Sequence, residues 1–351
     1  MFILFHFARS KVTVSGRGLI GFGREGMLQQ LFGQPEHKQL LFLMSVFAPK
    51  QHAFFESVAN GAAPQFVHYT SAEVACSIIQ NKSIWLRRCS SMNDYQEVRY
   101  GINLINKYLK NKNDTVKDAL NGVFEGSYKE IFENLDGWLF NHEFHTYLTC
   151  VSRHEAHEDK IGRLSMWRAY GGRSGVGLVL DGSIFATFSD AIGAYSTQVE
   201  YLTDQQFEDE LDQFVSRLKE HSEHLRHLGR DGFIAKCVQY FRKLMIGTKH
   251  PGFAEEQEWR IYHTPDFDPA GVLKKHVKIV KGVPEIIYEL PIQPVPGIPN
   301  LTLKDLLKGI IVGPADNPYD IAEAIEHTLS LNKFENVKDL VAISGIPLRW
   351  S

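Results

Sequence analysis

The chain has 351 residues, 44% hydrophobic, 23% charged and 12% aromatic, with a formal net charge of −3. That length allows one elaborated domain or two, either able to bury a sizeable core, and the aromatic share argues against extended disorder. The small negative balance gives no global electrostatic reason for nucleic acid to be a standing partner, although a local basic patch would still suit it. Cys76, Cys89, Cys150 and Cys237 are far apart and form no CxxC pair, which disfavours a zinc ribbon and a disulfide framework and fits a reducing cytoplasm. No run approaches the roughly 18 apolar residues that span a bilayer, and Met1 to Ala8 lacks a basic n-region and a cleavage site, so neither secretion nor membrane insertion is expected.

Residues 1–50 carry six Lys or Arg against two Asp or Glu and include SGRGLIGFGREG, whose glycines have neither GxGxxG nor GxxxxGK[ST] spacing. Residues 1–64 therefore read as an N-terminal arm or helical extension, with a helix from Met44 through Phe54, Phe55 and Val58. FVHYT at 66–70 is a strand. SAEVACSIIQN follows as a helix with Ser71 as N-cap and Val74, Ile78 and Ile79 on one face. SIWLRR is a second strand, and the next helix starts from Asn93 or Asp94 and carries Val98, Ile102, Ile105 and Leu109. A polar helical region over 114–135 leads to the strand TYLTCVS, the short helix MWRAYG and the buried strand GVGLVLD. Over 203–246 the period becomes helical, with Phe207, Leu211, Phe214, Leu218 and Leu225 before a break at Gly229 to Gly232, then Phe233, Cys237, Phe241 and Leu244. Strands resume with EWRIYH, IIYELPI and GIIVGP, followed by a helix over 318–331 and a last strand, LVAISGIPLRW. The expected architecture is an α+β domain over 65–351 with a helical insertion at 203–246.

Three clusters place polar groups beside strands: His68-Tyr69-Thr70, the stretch Ser165 to Tyr170, and Glu255-Glu256-Gln257-Glu258-Trp259-Arg260. At these residues the chain resembles the bacterial domain-of-unknown-function family numbered 2971. The resemblance is carried by HYTS at 68–71, WL followed by MND within 85–94, Glu97, MWRAYG with GVGLVLD, Lys249 ahead of EEQEWR, GIIVGP, and ISGIPLR, so it spans about 66–349. That family looks like a distant relative of the ADP-ribosyltransferase superfamily, in which a His-Tyr-Glu triad binds NAD and members often serve as toxins or antiviral effectors. The resemblance implies an ADP-ribosyltransferase-like split β-sheet core with flanking helices and NAD as substrate. It also implies a role for the chain in toxin–antitoxin or antiviral systems, with an antitoxin protein as a partner.

In that chemistry nicotinamide leaves NAD through an oxocarbenium-like centre, so a carboxylate must orient the ribose hydroxyls and stabilise developing positive charge. Glu258 matches this element, with Glu256 beside it. His68 matches the histidine that hydrogen-bonds the adenosine ribose, and Tyr170 the tyrosine that stacks on nicotinamide, with Tyr69 and Tyr195 as competitors. Tyr69, Thr70, Trp167 and Arg168 are the neighbours expected to line the NAD side. The acceptor is expected beside Lys249 to Ala254, where Arg87, Arg88, Arg168 and Arg173 would add charge suited to RNA or single-stranded DNA, with a protein acceptor as the alternative.

Each cluster also has a plainer reading. His68 can be a strand histidine bonded to a backbone carbonyl, Trp167 and Tyr170 can be core aromatics, and Asn93, Asp94 and Glu97 can be a cap with first-turn acids. Glu256 and Glu258 alternate on a strand and so share a face, with Gln257 turned away, and Arg260 on that face can pair with either. His142, His145, His154 and His157 make two His-x-x-His spacings in a solvated-looking stretch, and no metal is expected there. Two other functions compete. A metal-dependent nuclease or phosphodiesterase would gather Asp94, Glu97, Glu256 and Glu258 on magnesium. A non-catalytic module of a toxin–antitoxin or defence operon would have no open pocket beside His68.

Overall fold

The computed structural model describes residues 35–91, 95–186, 190–268, 271–280, 282–296, 298 and 301–348; the side chains of 35–37, 95–98, 136–144, 190 and 267 lie outside that description. Asn93, Asp94 and the glycine-rich stretch therefore fall outside the described residues, as do the side chains of Glu97 and His142.

Contacts divide the chain into two compact units. One takes the described residues of 35–62 together with 112–135 and 210–241; the other takes 63–111, 136–209 and those from 242 onward. The helices before residue 64 thus group with parts of later helices, where the sequence pattern alone marks a single boundary. The first unit is helical. The periodic positions Leu211, Phe214, Leu218, Leu225, Phe233, Cys237 and Phe241 are all buried in it. Phe214 stacks on Tyr240 at 3.6 Å between centroids, and the Arg217 side chain donates to the Val46 carbonyl at 2.9 Å. The expected break at Gly229 to Gly232 is shifted: one helix ends at Arg226, and the next starts at Gly229 and runs through Gly232, so the interruption falls at His227 and Leu228.

The second unit is built on strands β1 (Gln65–Ser71), β2 (Ser83–Arg88), β3 (Tyr147–His154), β4 (Gly175–Asp181), β5 (Tyr195–Gln198), β6 (Glu200–Tyr201), β7 (Thr248–Lys249), β8 (Glu258–His263), β9 (Lys274–Val280), β10 (Val283–Pro291), β11 (Leu307–Val312) and β12 (Val341–Ile343). The fold is α+β, and its main sheet runs in the order β12-β11-β4-β1-β3-β2-β10-β9, with β8 branching from β3 and β5 from β8. Its pairings are antiparallel except β11 with β12. Ser71 ends β1 and caps the helix Ala72–Asn81 by accepting the Val74 N–H at 3.3 Å, as its sequence position predicts. That helix buries Ala75, Ile78 and Ile79 and packs against β1, β2, β4 and the helix Pro318–Leu331.

The sheet forks at β3. On one side β3 pairs with β8 from Tyr147 to Ser152. On its other side β1 takes Ser152 to His154 while β2 takes Tyr147 and Leu148, so Thr149 to Val151 keep ladder partners only toward β8. Residues on opposite faces of the forked sheet are fixed by alternation. Val67, Ser152 and Glu258 are cross-strand partners and share one face, while Phe66 and Trp259 meet on the other with centroids 5.4 Å apart.

Candidate functional site at the sheet fork

His68 stands at the fork. Its Nδ1 lies 2.9 Å from the Cys150 carbonyl, the group that β1 leaves unpaired when it departs from β3. A carbonyl only accepts, so Nδ1 carries the proton and Nε2 of the neutral ring is left as an acceptor. Burial lowers the imidazole pKa below its ordinary value, against the opposing effect of the Cys150 bond, which keeps the ring in that neutral form. The plainer reading of His68, a ring bonded to a backbone carbonyl, is thus fulfilled for one nitrogen.

Glu258 opens β8 opposite Ser152. Its carboxylate accepts from Arg260 Nε at 2.7 Å and Nη2 at 3.2 Å, and from Lys249 Nζ at 3.0 Å. Burial by itself would raise its pKa, but Arg260 and Lys249 outweigh burial and hold it at about 2, with a further hydrogen bond from Cys150. Cys150 therefore meets His68 at its carbonyl and Glu258 at its side chain. Lys249, fully buried, also reaches Glu256 at 2.6 Å and lies 5.1 Å from the centre of the Phe253 ring.

Glu256 and Glu258 do not alternate along a strand. Glu256 closes the 3-10 turn Pro251–Glu256, Gln257 takes a left-handed φ of 44°, and the strand begins only at Glu258. The turn is tied to β3 instead: Ser152 Oγ donates to the Glu256 carbonyl at 2.6 Å and the Arg153 N–H to the Gln257 carbonyl at 2.9 Å. The two carboxylates still converge, through the shared ammonium of Lys249 rather than through strand periodicity.

The middle cluster lies on the Glu258 face. Val67, Tyr69, Met166, Trp167, Val179 and Ile311 form one apolar cluster with the half-buried Tyr170 packed against it. Trp167 is 0% exposed and its indole N–H donates to the Ile161 carbonyl at 2.9 Å, so neither face of the ring is open to NAD, which corrects its assignment to the NAD side. Tyr69 is also buried, its hydroxyl accepting the Arg163 N–H at 2.8 Å, and burial pushes its pKa up to about 12. Alternation turns His68 and the half-buried Thr70 to the opposite face, so His68 does not share a face with Glu258 and Tyr170, as a single cleft holding one dinucleotide against all three would require. Arg168 is exposed.

The expected cationic approach is dispersed. Lys249 is spent inside the cluster, Arg87 is bonded to Glu285 at 2.9 Å, Arg173 to Asp316 at 3.3 Å, and Arg88 lies over the Tyr147 ring. Phe253, at 44% exposed, is the aromatic ring that does face outward. His145 is near Asp266 while His154 bonds Asp159 at 2.8 Å, so the two His-x-x-His spacings lead to separate carboxylates. Among the described residues no group of three or more His, Cys, Asp or Glu side chains is gathered for a metal ion.

Arg163 was absent from the sequence-derived site and proves central to it. It bonds Glu158 at 2.5 Å, the Glu255 carbonyl at 2.7 Å and the Arg153 carbonyl at 2.9 Å, joining β3 to the turn before Glu258. Only its place just ahead of the MWRAYG stretch hinted at this. A cavity of about 460 Å³ opens elsewhere in the unit, between the starts of the helices Ala72–Asn81 and Pro318–Leu331, lined by Glu73, Cys76, Arg173, Asp316 and Asp320 among others.

No curated protein and no solved structure matches the chain. A family model described as "Protein of unknown function (DUF2971)" matches residues 166–261, the stretch that runs from Met166 beside Trp167 to Ile261 in β8 and so contains Tyr170, Lys249, Glu256, Glu258 and Arg260. Over that segment the chain is similar to the DUF2971 family.

Proposed function

We propose that the chain is an NAD-dependent ADP-ribosyltransferase of the toxin or antiviral-effector kind, with the fork at β3 as the core of an ADP-ribosyltransferase-like split sheet. The observation that carries the reading is Cys150 of β3, whose carbonyl meets His68 and whose side chain hydrogen-bonds Glu258. His68 Nε2 is an acceptor suited to a ribose hydroxyl. Glu258, ionised at any physiological pH, has the charge needed beside an oxocarbenium-like ribose carbon. In the reaction the bond from that carbon to nicotinamide breaks, its electron pair leaves with nicotinamide, and the acceptor supplies the pair for the new bond and releases its proton to solvent. The reading requires Lys249 to surrender part of the Glu258 carboxylate to the ribose, and requires one NAD molecule to reach both His68 and Glu258 although their side chains leave opposite faces of the sheet at the fork.

One observation favours a second reading, a non-catalytic binding module. Both oxygens of Glu258 are already occupied by Arg260 and Lys249, as expected of a structural buried ion cluster. Incubation with NAD separates the two. Nicotinamide release that falls by at least about a hundredfold in Glu258→Gln, with folding retained, supports the transferase; no release from the unmodified chain, with every candidate acceptor fraction present, supports the module. Among the described residues no helix is long and apolar enough to cross a membrane. RNA, single-stranded DNA and protein are the acceptors to compare in that assay.

A further inference from the structure

We propose that the outer edge of β9 is a docking site for an acidic, extended segment of a partner protein, which would add to the sheet as a further strand. This stands apart from the NAD reading and rests on other residues. β9 is the last strand of the sheet order, paired only with β10 among the described residues. Its other edge offers unpaired backbone donors and acceptors along seven residues, whereas the opposite end of the sheet is closed by β12, which has only three.

The side chains specify the partner. Val277 and Ile279 are 69% and 65% exposed on one face of β9, and Val283, the cross-strand partner of Val280, is 57% exposed on the other, so exposed β-branched side chains stand on both faces of the hairpin. Lys274 and Lys275 are exposed, Lys278 is half-buried with its ammonium 5.4 Å from the Trp85 ring centre, and β9 contains no acid. The carboxylates facing them from β10 are committed elsewhere: Glu285 to Arg87 at 2.9 Å, and Glu289 to Ser83 at 2.6 Å and His276 at 3.2 Å. Lysines alone would be the common guard of an exposed edge, but a guard does not explain aliphatic side chains turned outward between them. A second copy of the chain would set lysine against lysine. Nucleic acid would find the charge but no stacking surface, because the exposed side chains are aliphatic and Trp85 is covered by Lys278. An extended peptide with valines opposite Val277 and Ile279 and glutamates opposite the lysines meets every feature.

The test uses a fluorescein-labelled peptide of that pattern and the full chain, followed by anisotropy at low salt. Saturable binding is expected, weakened at least about tenfold when alternate peptide amides are N-methylated, because the backbone ladder is lost. The variant Lys274→Glu/Lys275→Glu/Lys278→Glu is expected to lose at least about tenfold for this peptide and to gain a peptide in which lysines replace the glutamates. Absence of saturable binding, equal binding of the N-methylated peptide, or tighter binding of a single-stranded RNA oligonucleotide through the same lysines overturns the proposal. The N-methylation comparison uses the unmodified protein, so it decides even where the triple variant fails to fold.

Discussion

Trp167 and Lys249 are both 0% exposed, yet they are buried by opposite means. Around Trp167 the space is made by omission. A Cβ at Gly162, which has φ +69°, or at Gly313 would come within 2.6 Å of the indole ring, so the glycines leave room for a large apolar side chain whose one polar atom is bonded to Ile161. Around Lys249 the space is made by compensation: one ammonium serves Glu256 and Glu258, and Arg260 completes the Glu258 carboxylate. The apolar site gains from every contact separately, while the ionic site holds only as a set, because any member left alone is a desolvated charge.

The largest expected effect breaks the apolar side. Trp167→Ala should cost about 4 kcal/mol in urea unfolding, and Trp167→Phe clearly less, because loss there scales with the volume removed. Equal losses in the two variants would mean that the indole hydrogen bond, not packing, dominates. On the ionic side, Lys249→Met should cost about 3 kcal/mol by leaving two carboxylates around an uncharged stem. Adding Glu256→Gln to it should restore about 1 kcal/mol, because the remaining charges then pair one to one between Glu258 and Arg260. Strict additivity of the two substitutions would show that Lys249 and Glu256 are not coupled.

Acid titration sharpens the contrast further. The Glu258 pKa is held at about 2 in the folded chain against an ordinary 4.5, so the unfolded chain binds the proton more readily. Its contribution, on the order of 3 kcal/mol, is complete above pH 4.5 and disappears as the pH falls toward 2. Stability curves of the unmodified chain and Glu258→Gln should therefore converge over that window, whereas Trp167→Phe should run parallel to the unmodified chain throughout it. A smaller effect tests the link between the sites: Tyr69→Phe should cost about 1–2 kcal/mol by leaving the Arg163 N–H without its acceptor. Smallest of all, Arg173→Ala should change stability by less than about 0.5 kcal/mol, since its pair with Asp316 is exposed.

Elements marked by a cap, a run of apolar and β-branched residues or a helical period are legible in the sequence. The Ser71 cap, the strands carrying FVHYT, TYLTCVS and GVGLVLD, and the paired helical runs form where the spacing predicts them, with the break between the runs falling just before Gly229 rather than across Gly229 to Gly232. β9 was not readable, because KKHVKIV interleaves lysines with aliphatics on an edge where both faces meet water over much of its length, and no buried face imposes a period. The short β5, β6 and β7 were missed for a simpler reason, being too brief for any repeat to show.

For the site, residue types were legible and their grouping was not. The sequence by itself determined that a histidine strand, an aromatic stretch and a pair of glutamates would stand beside an α+β sheet, because hydrophobic periodicity fixes local structure within a few residues. Only the tertiary structure decided that His68 bonds Cys150 where the sheet forks, and that Trp167 belongs to the core. It decided equally that Lys249, which reads as an exposed cation, is the buried bridge between Glu256 and Glu258. Those outcomes depend on which strands pair and which charges lose their water together, and both are set by long-range contacts whose free energy has no counterpart in local sequence.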